Sequence, residues 1–390
     1  MTEAFVTPEV VKWARQRREL SREAAAQRIN VTPARLDSWE SGTARPTFRQ
    51  ARTLAQKFNV PFGYLFLSSP PAQVITLPDL RTVANRPLTS ASPELFDVLQ
   101  DVLRKQEWYR DYQQSEGAEG LPFVARYSLT DDPRQIAADI CATLSIGGDL
   151  RRRATSWDNF LRLLIRQAEG AGILVLRSGI VGNNTHRTLS VDEFRGFALS
   201  DELAPLVFIN AQDGKAAQIF TFAHEIAHLW LGQSGISNLD YRRPSWQQEH
   251  DVDRLCDQVA AEMLLPSKEF LARWRDDRDI QENLEDLARQ YRVSEFVVLR
   301  TAYENGKIGG RDYRDQLEAR KGRTRGEAGQ GGDFYRTLLS RNSSVLTLAV
   351  LAAAAEGRAT YREASQLLNV KMATLPEIHR RLLEMGAGNA

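Results

Sequence analysis

The chain has 390 residues, 42% hydrophobic and 26% charged, with a formal net charge of +1, which excludes a disordered polyelectrolyte and allows two to four folded domains. Its two cysteines, Cys141 and Cys256, lie far apart and outside any C-x-x-C pair, so a disulfide framework is excluded and a reducing compartment is expected. The longest apolar run, 345–355, is too short for a span of about 20 residues, and the first residues lack a basic start before an apolar core; a cytoplasmic protein without a membrane segment is the expectation.

Charge is uneven along the chain. Residues 1–70 hold eleven Lys/Arg against six Asp/Glu, a local +5. Thr7-Pro8 opens a helix expected to run through Val11, Ala14 and Leu20. Ser21 caps a second, Thr32-Pro33 starts a third that stops at Ser41-Gly42, and Arg45-Pro46-Thr47 begins a fourth. Short helices joined by tight turns are how proteins place a reader in the major groove. The pattern S-x-x-x-A-A-x-x-I-N-V-T-P-x-x-L-x-x-W-E-S-G-x-x-R-P-T, within residues 7–67, resembles the Cro/CI-like (XRE) helix-turn-helix family. The resemblance implies DNA as a partner, with Thr32, Ala34, Arg35 and Ser38 facing the groove and Arg22, Arg45 and Arg49 near phosphates. Arg35 is the only long polar side chain on the reading helix, and the alternative use of the bundle is dimerisation or partner docking.

Residues 71–125 read as a Pro-stiffened linker followed by a long amphipathic helix, 94–113, with its stripe at Leu95, Val98, Leu99, Val102, Leu103 and Trp108. From 126 to 270 the pattern is two helices (133–144 and 156–171), then three short apolar strands at 172–176, 197–200 and 206–210, separated by turn residues. The stretch that follows contains His224-Glu225-x-x-His228. Two imidazoles at i and i+4 share one helix face and can grip one Zn²⁺, while Glu225 can reach a water on that ion and take its proton. Phe220, Phe222, Ile226, Leu229 and Trp230 surround the three polar groups, and burying them without a partner would be costly; a metal supplies one.

A catalytic zinc usually takes three protein ligands. A helix expected over 246–265 carries Glu249, Asp253 and Asp257 at every fourth position, so all three share a face and spacing alone does not choose among them. The ordered segments Gly179-Ile-Val-Gly-Asn-Asn-Thr-x-Arg-x-Leu, Glu193-Phe-Arg-Gly-Phe-Ala-Leu-Ser-Asp, Ala204-Pro-x-x-Phe-Ile-Asn, Phe220-Thr-Phe-Ala-His-Glu-Ile-Ala-His and Cys256-Asp-Gln-Val-Ala-Ala-Glu-Met-Leu-Leu-Pro resemble the ImmA/IrrE family of metallopeptidases. That resemblance implies a zincin-like (minigluzincin) domain with a small three-stranded sheet and a catalytic Glu225. It also implies His224, His228 and Asp253 on the metal, with Glu249 as the alternative third ligand. Zinc is the implied ion and manganese the alternative. Arg195 and Tyr241 are the candidates for steadying an oxyanion, and His186 and His250 are bystanders.

Residues 271–318 read as a helical extension containing a helix, turn, helix unit at 284–300, either a second DNA reader or plain scaffold. A Gly-rich linker at 319–333 leads to a helical tail, 334–390. The whole is expected to be an α+β, mostly helical chain: an all-α DNA-binding head on a zinc endopeptidase that cleaves a protein partner, a repressor or a toxin–antitoxin component, in stress or toxin–antitoxin regulation. A homodimer is a further expected assembly. The alternative is a non-catalytic regulator or antitoxin that keeps the zincin fold as a protein-binding scaffold.

Overall fold

Four Ser/Thr/Pro-led starts become four helices, α1 (Pro8–Gln16), α2 (Arg22–Arg28), α3 (Pro33–Glu40) and α4 (Phe48–Phe58), closed by a 3₁₀ turn at Phe62–Phe66. The computed structural model describes residues 2–18, 20–71, 91–237, 251–320 and 334–387. The expected caps are made: Ser21 accepts from the Ala24 amide, Thr32 from Arg35, and Thr47 forms a capping box with Gln50. α1 stops at Gln16 rather than reaching Leu20. The bundle core collects Val10, Ala14, Ala25, Leu36, Trp39, Leu54, Phe58 and Leu65. Among the described residues of the bundle, Glu40 is a buried charge, and it takes a two-pronged ion pair from Arg15, at 2.6 and 3.0 Å.

α5 (Pro93–Ser115) begins with this bundle, and from Val98 onward the chain belongs to a second compact unit. Its buried face differs in part from the expected stripe. Leu99 and Val102 are buried, but so are Lys105, Gln106 and Tyr109, while Leu103 and Trp108 are half-buried. Gln106 is tolerated there because its amide donates to the carbonyls of Leu199 and Ala204.

The second unit continues with α6 (Pro133–Thr143), α7 (Gly148–Arg153) and α8 (Trp157–Gly170), then β1 (Leu174–Ser178) and a hairpin of β2 (Ile180–Val181) and β3 (Asn184–Thr188). Next come β4 (Gly196–Leu199), β5 (Leu206–Asn210), α9 (Lys215–Trp230), β6 (Gly235–Ser237) and α10 (Asp251–Leu264). The helices α11 (Ser267–Arg273), α12 (Ile280–Tyr291), α13 (Glu295–Glu304) and α14 (Gly310–Ala319) follow. The described chain ends with α15 (Phe334–Asn342), α16 (Ser344–Ala355), α17 (Tyr361–Leu367) and α18 (Leu375–Ala387). The molecule is α+β and mostly helical, as expected, but among the described residues the sheet has four strands rather than three, in the order β1-β5-β4-β6, parallel between β1 and β5 and antiparallel elsewhere. The extra strand, Gly235-Ile-Ser, is too short to show alternation, and the polar hairpin at 180–188 carries no apolar run; both evade a periodicity reading.

α9 packs across β4 and β5, with α8 and α10 beside it, so its residues from Ala217 to Trp230 are all buried. Gly196 allows this: a Cβ there would lie 2.5 Å from Thr221 Cγ2 and 2.8 Å from the Phe208 carbonyl. Gly232 ends the helix in the left-handed region (φ +66°), where a Cβ would also strike that of Ala125 at 2.5 Å. The core runs on across residue 270, taking in Phe270, Leu284, Tyr291, Phe296, Val298 and Tyr313. The apolar side chains of the 284–300 unit are thereby part of this core. Of the expected linkers, residues 72–90 and 321–333 lie outside the described residues, as do Trp246, Glu249 and His250, while Ala319, expected at the start of the second linker, ends α14. No single helix among the described residues is long and apolar enough to cross a membrane.

Candidate metal centre and DNA-reading helix

α9 presents His224 and His228 one turn apart, and their ε nitrogens face each other at 3.0 Å. Tetrahedral ligation with Zn–N bonds of about 2.0–2.1 Å sets nitrogens roughly 3.3 Å apart, so the pair is close to the separation one ion needs. α10 contributes from the opposite wall. Asp253 places Oδ1 3.5 Å from His228 Nε2, with its side chain 38% exposed. Cys256 is fully buried, and its sulfur lies with ligand nitrogens of His224 and His228 in a set whose atoms are all within 4.8 Å of one another. Asp257, one helical turn beyond Asp253, binds His224 from behind at 2.8 Å.

Glu225 is fully buried between these groups, and neither carboxylate oxygen has a hydrogen-bond partner among the described residues. Such an orphan calls for an explanation. Burial pushes its carboxyl up to about 8, with the charge of His224 pulling the other way and Asp253 and Asp257 reinforcing the rise. A dication nearby would restore the carboxylate. Burial lowers the His228 pKa, leaving a neutral ring with a lone pair. Burial also opposes charge on His224, but the hydrogen bond and charge of Asp257 outweigh it and raise its pKa. Burial pushes Asp257 up too, yet Arg300 and His224 hold it below the ordinary carboxylate range. The Cys256 thiol is raised well above its usual range by burial and the surrounding carboxylates. Two converging imidazoles, a carboxylate and a thiol, with an orphaned acid alongside, fit a divalent ion of zinc's preferences.

The other candidates fare differently. Arg195 is salt-bridged to Asp213, and its amide donates to the Ser237 carbonyl at 2.9 Å; His186 is exposed on β3. Tyr241 and Glu249 lie outside the described residues. Sequence reasoning missed Cys256 as a candidate ligand and Arg300 altogether. The signal for Arg300 was present, a single cation inside the apolar run Phe296-Val-Val-Leu-Arg-Thr-Ala, which a fold accepts only beside an acid.

In the first unit, α2 and α3 meet through a turn with Asn30 at φ +57°. Thr32, Ala34 and Arg35 are exposed and Ser38 is partly exposed, so this part of α3 is open to solvent. Thr32 and Ser38 already bond their own helix, Ser38 donating to the Arg35 carbonyl at 2.7 Å. Arg35 stands over the Trp39 ring and Arg45 over Phe5, 4.0 Å from its centroid. Arg22 is held by Asp37 and Glu40, and Arg49 is exposed.

A helix-turn-helix bundle and an α+β domain with a buried histidine pair define a DNA-binding protein joined to a metallopeptidase-like domain. Comparison with known families agrees. Residues 11–65 match the helix-turn-helix model HTH_3, residues 168–303 the IrrE N-terminal-like domain, Peptidase_M78, and residues 342–381 a domain of unknown function, DUF8813. One chain thus carries a segment similar to XRE-type helix-turn-helix domains and a separate segment similar to the IrrE-like Peptidase_M78 domain. No curated protein matches it.

Proposed function

We propose that this protein is a DNA-bound regulator whose IrrE-like domain is a zinc-dependent endopeptidase, with His224, His228 and Asp253 holding the ion and Glu225 as general base. The observation that carries the reading is the pairing of two ε nitrogens at 3.0 Å with a buried carboxylate, Glu225, that has no partner among the described residues. When bound, zinc would polarise a peptide carbonyl and acidify water. Glu225 would take the proton of the attacking water and return it to the departing amine. β6, at the edge of the sheet, passes the site: a Cβ at Gly235 would lie 3.7 Å from His228 Cε1. An extended peptide added to that edge would gain main-chain hydrogen bonds that steady it over the metal centre. A protein partner is therefore the substrate class, and the attached helix-turn-helix domain suggests a repressor or a toxin–antitoxin component in stress or toxin–antitoxin control, acted on in the cytoplasm. The reader itself would work best as a homodimer on two half-sites.

Cys256 favours a second reading. If its thiolate joined His224, His228 and Asp253, four protein ligands would close the tetrahedron, as in structural zinc sites, and no position would remain for water. The domain would then be a binding scaffold. Cobalt substitution separates the two: a sulfur-to-cobalt charge-transfer band that disappears in Cys256→Ala marks the closed site. Its absence, with metal-dependent fragments of a protein encoded beside this one that Glu225→Gln no longer produces, supports the enzyme. If Glu225→Gln matches the wild type in fragments and in cells, the peptidase reading fails.

A further inference from the structure

Three elements far apart in sequence meet behind His224. Its Nδ1 lies 2.8 Å from Asp257 Oδ1 on α10; the other oxygen, Oδ2, accepts from Arg300 Nη1 on α13 at 2.7 Å; and Arg300 Nε donates to Glu304 Oε1 at 2.9 Å. The side chains are almost sealed from water, His224 at 0%, Asp257 at 1% and Arg300 at 3%, with Glu304 at the rim at 26%. An ionised carboxylate only accepts hydrogen bonds, so Asp257 places the ring proton on Nδ1 and leaves the lone pair on Nε2, the atom that faces His228. Asp257 cannot turn away, because Arg300 occupies its second oxygen, and Arg300 is itself fixed one helical turn on by Glu304.

We infer that Asp257, Arg300 and Glu304 form a positioning relay that fixes the tautomer and aim of His224 as a metal ligand, an inference that rests on the metal-holding reading of His224 and His228. A purely structural role is the weaker account of the same contacts. A buried ion pair is commonly no more stabilising than apolar side chains of the same volume, so packing alone gives no reason to sink these charges here. It also gives no reason for the pair to end on the nitrogen opposite the metal-facing one. The relay further explains why α12 and α13 are walled into the core of this unit: α13 delivers Arg300.

The full-length protein, labelled with ¹⁵N-histidine and metal-free, should show His224 as the Nδ1–H tautomer in a long-range ¹H–¹⁵N spectrum. Zinc affinity, read by competition with a chromophoric chelator, should fall by about 10- to 100-fold in Asp257→Asn and in Arg300→Met, with partial recovery in Arg300→Lys. Leu299→Ala, fully buried on the same helix but outside the relay, controls for lost stability and should bind zinc as the wild type does. A wild type with His224 in the other tautomer, relay variants that bind zinc normally, or a Leu299→Ala affinity loss equal to that of Arg300→Met would each overturn the relay while leaving the metal site standing. A wild type that binds no zinc would overturn both.

Discussion

α3 and α9 are both candidate functional helices, and they solve opposite problems. α3 is eight residues long, buries only Leu36, Trp39 and Glu40, and leaves Thr32, Ala34 and Arg35 in water, where a nucleic acid can reach them. α9 is sixteen residues long and buries every residue from Ala217 to Trp230, its two histidines and its glutamate included. A reader works by contact with a large external partner, so its polar groups remain solvated until binding. A metal centre works by exclusion, and its polar groups must be paired within the protein or with an ion, because water no longer serves them. That contrast predicts substitutions in α9 and behind it that cost chemistry or stability steeply, and substitutions on the exposed face of α3 that cost little except affinity.

The largest effect is expected at Glu225. Glu225→Gln keeps the volume and should lower peptide cleavage by about 10²- to 10⁴-fold while bound zinc, measured by mass spectrometry, is unchanged. Phe222→Ala, at a fully buried site in the same helix, should destabilise the second unit by roughly 3–5 kcal/mol in urea unfolding. The first unit has its own buried charge, and Glu40→Ala, which strands Arg15, should cost it on the order of 3 kcal/mol. If that variant proved neutral, the claim that the two units differ in where they bury charge would lose its quantitative side. Arg35→Ala should weaken operator binding by about 1–3 kcal/mol, seen as relaxed preference at one base position. The smallest change is expected for Arg49→Ala, which should weaken binding to all sequences alike and reduce the salt slope by about one.

The elements legible in advance were those whose local chemistry suffices. Ser21, Thr32, Asp132, Ser156 and Ser294 each cap the helix that their neighbours announce. The i, i+4 histidines with the adjacent glutamate were readable because a helix turn is a fixed distance. β6 and the β2–β3 hairpin were not readable, since they owe their pairing to partners 37 to 41 residues away or to a polar hairpin with no apolar pattern. The third ligand was left among Glu249, Asp253 and Asp257 on the helix expected over 246–265, and Cys256 stood outside consideration because its environment is supplied by α9 rather than by its own neighbours.

The amino-acid order alone determined the helix-turn-helix and IrrE-like character of residues 11–65 and 168–303, many of the helix starts and the i, i+4 histidine pair, because propensity, capping and helical periodicity act over four or five positions. Only the tertiary structure decided that Asp257 serves His224 from behind, that Arg300 stands behind Asp257, and that Cys256 lies in one tight cluster with the two histidines. The pairs His224–Asp257, Asp257–Arg300 and His228–Cys256 are 28 to 43 residues apart in the chain and meet where three helices cross, and no local rule specifies which buried side chains a crossing brings face to face.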